Sequence, residues 1–89
     1  MRNVSRFETL TKRNVLIQER TKRFISDLRR LVQLLDVDLE TEEERTGILD
    51  PTNMNYPVLA RKLRVRRENL TATISRLEGT LKRSASGGL

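Results

Sequence analysis

Six carboxylates crowd one short stretch, Asp36, Asp38, Glu40, Glu42, Glu43 and Glu44, and they have the most obvious chemical use in this chain. Alternating acids at Asp36, Asp38 and Glu40 have the form of a calcium-loop opening, where oxygens from every second residue converge on one cation. Such a loop needs glycine at its sixth position and a bidentate glutamate at its twelfth. Thr41 and Gly47 stand there instead, so the spacing fails as a calcium site. The run reads better as the charge complement of a basic segment of the same chain, the cluster Arg61, Lys62, Arg64, Arg66 and Arg67.

Histidine and cysteine are both absent. Their absence removes the commonest general base, the commonest thiol nucleophile and most transition-metal ligands. Carboxylates or lysines could still catalyse, but only where burial perturbs their pKa. A chain of 89 residues with 3% aromatic side chains has little in which to bury them. The expectation is a protein that is not an enzyme, with no catalytic, cofactor-binding or metal-binding residues and no small-molecule substrate.

The charges that remain fall into three blocks. Residues 1–35 carry +6, residues 36–50 carry −6 and residues 51–89 carry +6. Fourteen of the eighteen cations are arginine, the side chain suited to bidentate phosphate contacts. No run approaches the length of a membrane span, and Met1 to Leu10 lacks the apolar stretch of a signal peptide. With no cysteine to oxidise, a cytoplasmic location without membrane contact is expected.

These charges must ride on helices. Phe7, Leu10, Asn14, Ile17, Thr21, Phe24, Leu28, Leu31 and Leu35 alternate at spacings of three and four, a 3.5-residue repeat. Val15, Leu16, Ile25, Val32 and Leu34 lie outside that stripe and widen it, which predicts contact with more than one neighbouring helix. Ser5 with Glu8 forms a capping box at the expected start. A second repeat runs through Tyr56, Ala60, Leu63, Arg67, Leu70, Ile74, Leu77 and Leu81, with Pro57 in its first turn. Between them Thr41 and Glu44 are read as the cap of a short extra helical turn ended by Gly47, and Asp50-Pro51-Thr52-Asn53 as a turn.

The polar members of the stripes, Asn14, Thr21 and Arg67, are expected to set register and partner number, as single polar groups in a coiled-coil seam do. If Leu35 faces Ala60, Arg67 arrives near Leu28 and reaches Asp27.

One segment suggests a different use. Leu59-Ala60-Arg61-Lys62-Leu63-Arg64-Val65-Arg66-Arg67-Glu68-Asn69-Leu70, continuing to Leu77-Glu78, resembles the helix-turn-helix unit of winged-helix transcription regulators. Ala60 matches the small residue of the first helix, Val65 the apolar turn position, and Leu70, Ile74 and Leu77 the inner face of the recognition helix. The resemblance covers about a fifth of the chain, and Arg64 departs from it where such motifs usually carry glycine. It implies that Arg66, Arg67, Asn69, Thr71 and Thr73 lie near DNA, and the basic cluster adds Arg61, Lys62 and Arg64 as candidate nucleic-acid contacts.

The chain is therefore expected to be all-α, a two-helix antiparallel coiled-coil hairpin pairing into a dimeric four-helix bundle. One domain spans 1–83, with helix 1 over 5–38, an acidic connector over 39–55 and helix 2 over 56–83; residues 84–89 form a disordered tail. The expected oligomer and core seam comprises Phe7, Leu10, Ile17, Phe24, Leu28, Leu31 and Leu35 with Ala60, Leu63, Leu70, Ile74, Leu77 and Leu81. Its expected role is a helical protein–protein interaction module of the adaptor, chaperone-like or assembly kind. Its partner is a second copy, with a dimer favoured, or another helical protein; a DNA- or RNA-binding regulator is the alternative.

Overall fold

A computed structural model describes residues 6–86, with side chains from 8 to 84. Two helices account for most of it: α1, Arg6–Thr46, and α2, Val58–Ser86. They run antiparallel, because Glu43 of α1 meets Arg64 of α2 whereas Gln18 meets Ser84. The molecule measures 68 × 23 × 14 Å, one helix layer thick. No helix among the described residues is long and apolar enough to cross a membrane.

The acidic run is helical rather than a connector, so α1 ends eight residues beyond the expected end at 38. Glutamate is a good helix former, and Leu39 carries the apolar stripe onward. Thr41 does not cap a separate turn; its hydroxyl donates to the carbonyl of Val37 at 2.8 Å, inside α1. Carboxylates near a helix C-terminus oppose the macrodipole, and Arg45 offsets this by pairing with Glu42, whose carboxyl it holds below its usual pKa.

Gly47 ends α1 as its composition suggests. Its φ is +73°, and its N–H donates to the carbonyl of Glu43 at 2.8 Å. In the connector, the Asp50 carboxylate accepts from the amide and hydroxyl of Thr52 at 2.9 and 2.7 Å, which lowers its pKa. Asn53 repeats the device by accepting from the amide of Asn55 at 2.8 Å. Two tight turns, Asp50 to Asn53 and Asn53 to Tyr56, bring the chain back to Pro57. The Pro57 carbonyl accepts the first α2 bond, from Arg61 at 3.1 Å.

The α2 stripe packs as read, with Tyr56, Ala60 and Ile74 buried and Leu63, Leu70, Leu77 and Leu81 half-buried. The α1 stripe is rotated from its expected phase. Gln18, Thr21, Ile25, Leu28, Val32, Leu35, Leu39, Glu42 and Thr46 form the buried or half-buried seam. This seam shares Thr21, Leu28 and Leu35 with the expected stripe but uses Ile25 and Val32 in place of Phe24 and Leu31. The next heptad explains the choice. Continuing the Phe24–Leu31 row would bury Asp38, whereas the Ile25–Val32 row continues to Leu39.

The register moves with it. Leu39, not Leu35, packs with Ala60 and Tyr56. Arg67 consequently pairs with Asp36 rather than Asp27, and it does so at the surface. A second core cluster joins Ile25, Leu28 and Ile74 with Val32, Leu70, Leu77 and Leu81 around it.

Three substitutions test this packing. Leu28→Ala should destabilise by roughly 2–3 kcal/mol, because its side chain is nearly enclosed. Arg23→Ala, on an exposed face, should stay within about 0.5 kcal/mol. Gly47→Ala meets no neighbouring atom, so its cost of about 1 kcal/mol comes from the left-handed backbone alone. Thermal or urea unfolding followed by circular dichroism reads all three, and a neutral Gly47→Ala would show that α1 ends differently.

Candidate functional site

Local chemistry concentrates at the turn end of the hairpin. The Tyr56 hydroxyl donates to the Glu43 carboxylate at 2.7 Å and accepts from Arg64 Nε at 2.8 Å. Arg64 reaches Glu43 as well, at 3.3 Å, and the guanidinium groups of Arg61 and Arg64 lie 5.6 and 5.8 Å from the centre of the Tyr56 ring. Burial and the Glu43 hydrogen bond push the tyrosine pKa up, and the bond to Tyr56 raises that of Arg64. These bonds clamp the end of α1 to the start of α2 through the tyrosine hydroxyl.

The carboxylates do not converge. Asp36 pairs with Arg67, Glu42 with Arg45 and Glu43 with Arg64. Among the described residues no group of carboxylates has an arrangement that could hold a metal ion.

Residues of the helix-turn-helix resemblance are largely committed elsewhere. α2 is one unbroken helix through Arg64 and Val65, and no non-glycine residue among those described has a positive φ. The turn on which the resemblance depends is absent, for the same reason that Arg64 replaces its glycine. Arg64 and Arg67 pair with α1, Arg61 donates to the carbonyl of Asn53 at 3.0 Å, and the hydroxyls of Thr71 and Thr73 donate to α2 carbonyls. Lys62, Arg66 and Asn69 remain on an open outer face beside Val65.

A different surface is left without an intramolecular partner. Leu10, Ile17, Phe24 and Leu31 are 48, 53, 50 and 42% exposed, and they recur one heptad apart along α1. At about 100° per residue this row lies roughly a quarter-turn around α1 from the seam with α2. In a helix bundle that is the angle between a helix's two neighbours. Leu34 extends the row toward the turn end.

Toward the other end, α1 outruns α2. Each described side chain from Glu8 to Ile17 is exposed, including Val15 and Leu16. Asn14 is exposed, and the half-buried Thr21 donates to the Ile17 carbonyl at 2.9 Å. The side chain of Phe7 lies outside the described residues, as do Ser5 and the end of the expected tail; Ser84 to Ser86 are still helical. Compared with known protein families, with curated proteins and with solved structures, the chain matches none.

Exposure of the heptad row makes a sharp prediction. Phe24→Ser and Ile17→Ser should leave the helicity of the isolated hairpin unchanged and alter its stability by less than about 0.5 kcal/mol, measured at concentrations low enough to hold it as a single chain. A loss comparable to that of Leu28→Ala would place the row inside the hairpin core.

Proposed function

We propose that this protein is a non-catalytic helical interaction module that assembles with a second copy of itself into a bundle. The observation that carries the reading is the row Leu10, Ile17, Phe24 and Leu31, a heptad-spaced apolar face that the hairpin does not cover. Single exposed apolar residues are ordinary, but a contiguous row on one helix face marks an interaction surface. A two-helix hairpin without cysteine gains stability by associating. The ion pairs of Asp36, Glu42 and Glu43 support a scaffold rather than a reaction centre.

Nucleic-acid binding is the competing reading, supported by the net charge of +6 and by Lys62, Arg66 and Asn69 on the outer face of α2. An unbroken α2 favours the bundle over a duplex-reading unit.

Sedimentation equilibrium decides the matter. A mass near twice 10.4 kDa at micromolar concentration, falling to the single-chain mass in Phe24→Glu, is expected. A single-chain mass with full helicity would sink the self-assembly reading. Sequence-dependent binding to duplex DNA, with a salt slope reduced in Arg66→Ala, would favour the alternative.

A further inference from the structure

We infer that two copies pair antiparallel through α1, about a two-fold axis beside Phe24, so that the overhanging first third of each α1 lies against the α1 and α2 of the other. The inference rests on the self-assembly reading and adds its geometry. Three observations on α1 point the same way.

The first is the uneven length of the two helices. α2 meets α1 from the turn up to Gln18, where Ser84 closes the hairpin at 3.2 Å. Residues before Gln18 project past that point, carrying Leu10, Val15, Leu16 and Ile17 into solvent. In a parallel pair both overhangs would lie together and leave these side chains with one neighbouring helix. In an antiparallel pair each overhang enters the side of the partner's hairpin, where α1 and α2 already form two walls of a three-helix unit.

The second is the charge sequence along α1. Its early part carries Arg6, Lys12, Arg13, Arg20, Lys22 and Arg23, and its last part Asp36, Asp38, Glu40 and Glu44. A parallel pair sets acid beside acid and base beside base. Reversing one copy about Phe24 sets residues 36–42 of each, net −4, beside residues 6–12 of the other, net +1, so the segments attract although Glu8 falls beside Glu40.

The third lies within the row itself. Reversal about Phe24 brings Phe24 to its own copy and Ile17 to Leu31 of the partner subunit. Arg20 then meets Asp27 of the partner subunit, one such pair on each side of the axis. Within the hairpin, Arg20 and Asp27 make no ion pair or hydrogen bond, so both are available. Arg13 falls opposite Leu35 of the partner subunit, about one helical turn from the acid that follows the apolar row at the next heptad step.

Spin labels distinguish this arrangement from a parallel dimer, and the chain's lack of cysteine makes single-cysteine labelling clean. Arg23→Cys, Arg30→Cys and Glu44→Cys all fall on one exposed face of α1, a heptad or two apart. Antiparallel pairing about Phe24 sets like labels about 3, 18 and 60 Å apart along the axis at ~1.5 Å per residue. The measured distances should therefore lengthen steeply from Arg23 to Glu44. Equal distances at all three sites would overturn the antiparallel geometry while leaving self-assembly intact. A single-chain mass, by contrast, removes both readings together.

A charge swap gives the independent check. Arg20→Glu alone should weaken the dimer about tenfold or more, since two attractive contacts become repulsive. Adding Asp27→Arg should restore the affinity, as the pair is re-formed with its signs exchanged. A double variant as weak as the single one would overturn the proposed contact.

Discussion

Two helices meet along only one seam, and that single line of contact must satisfy every demand a core usually distributes over several layers. Ile25, Leu28, Leu39, Tyr56, Ala60 and Ile74 are the buried apolar residues. They divide into two clusters with Leu35, Leu63 and Leu70 half-buried along the same line. Because each side chain has neighbours on one side only, the gain per residue is smaller than in a globular core. Polar contacts at the margins then matter for direction more than for strength. Arg29 with Glu78, and Arg67 with Asp36, join the helices across exposed edges, where such pairs contribute about 0–1 kcal/mol. Their value lies in fixing which residue of α1 stands beside which residue of α2.

The tyrosine at the turn end shows how the seam resolves a conflict in the sequence. α1 closes with four acids in its last turns, against the sign its dipole favours. Leu39 must nevertheless stay helical to pack with Ala60 and Tyr56. Drawing Arg64 across the gap, with the tyrosine hydroxyl held between the arginine and Glu43, neutralises part of that charge where it is least exposed. The acidic segment is thus structural through Asp36 and Glu43, while Asp38, Glu40 and Glu44 face outward. Its negative sign becomes useful only when another basic helix lies alongside.

Most of the architecture was legible from periodicity. The α2 stripe needed no revision, since Tyr56, Ala60, Leu63, Leu70, Ile74, Leu77 and Leu81 offer one apolar row and Gly47 and Pro57 bracket the connector. α1 was harder because it carries two overlapping rows, one through Phe24 and Leu31 and another through Ile25 and Val32. Periodicity over residues 7–35 scores the first row well. Only the heptad beyond, Asp38 against Leu39, separates them, and it lies within the acidic run. The same step moved the register and took Arg67 from Asp27 to Asp36. What sequence could not supply was exposure: the row that looked like the hairpin's core is the face the hairpin leaves open. The helix-turn-helix resemblance needs a turn near Arg64 and Val65, and α2 runs straight through both.

The single connector also sets the order in which the molecule assembles. Contacts beside the turn join residues close in sequence, as between Tyr56 and Glu43, separated by 13 residues. At the open end Gln18 and Ser84 are 66 residues apart. Closure entropy rises with that separation, so the hairpin zips from Leu39, Tyr56 and Ala60 outward, with α1 and α2 winding together behind the advancing contact. Local topology of this kind folds on the microsecond-to-millisecond scale. Amide hydrogen exchange should grade along the molecule accordingly, slowest beside the connector and fastest where α1 runs on alone. The last part to form is then the part a second chain would meet first.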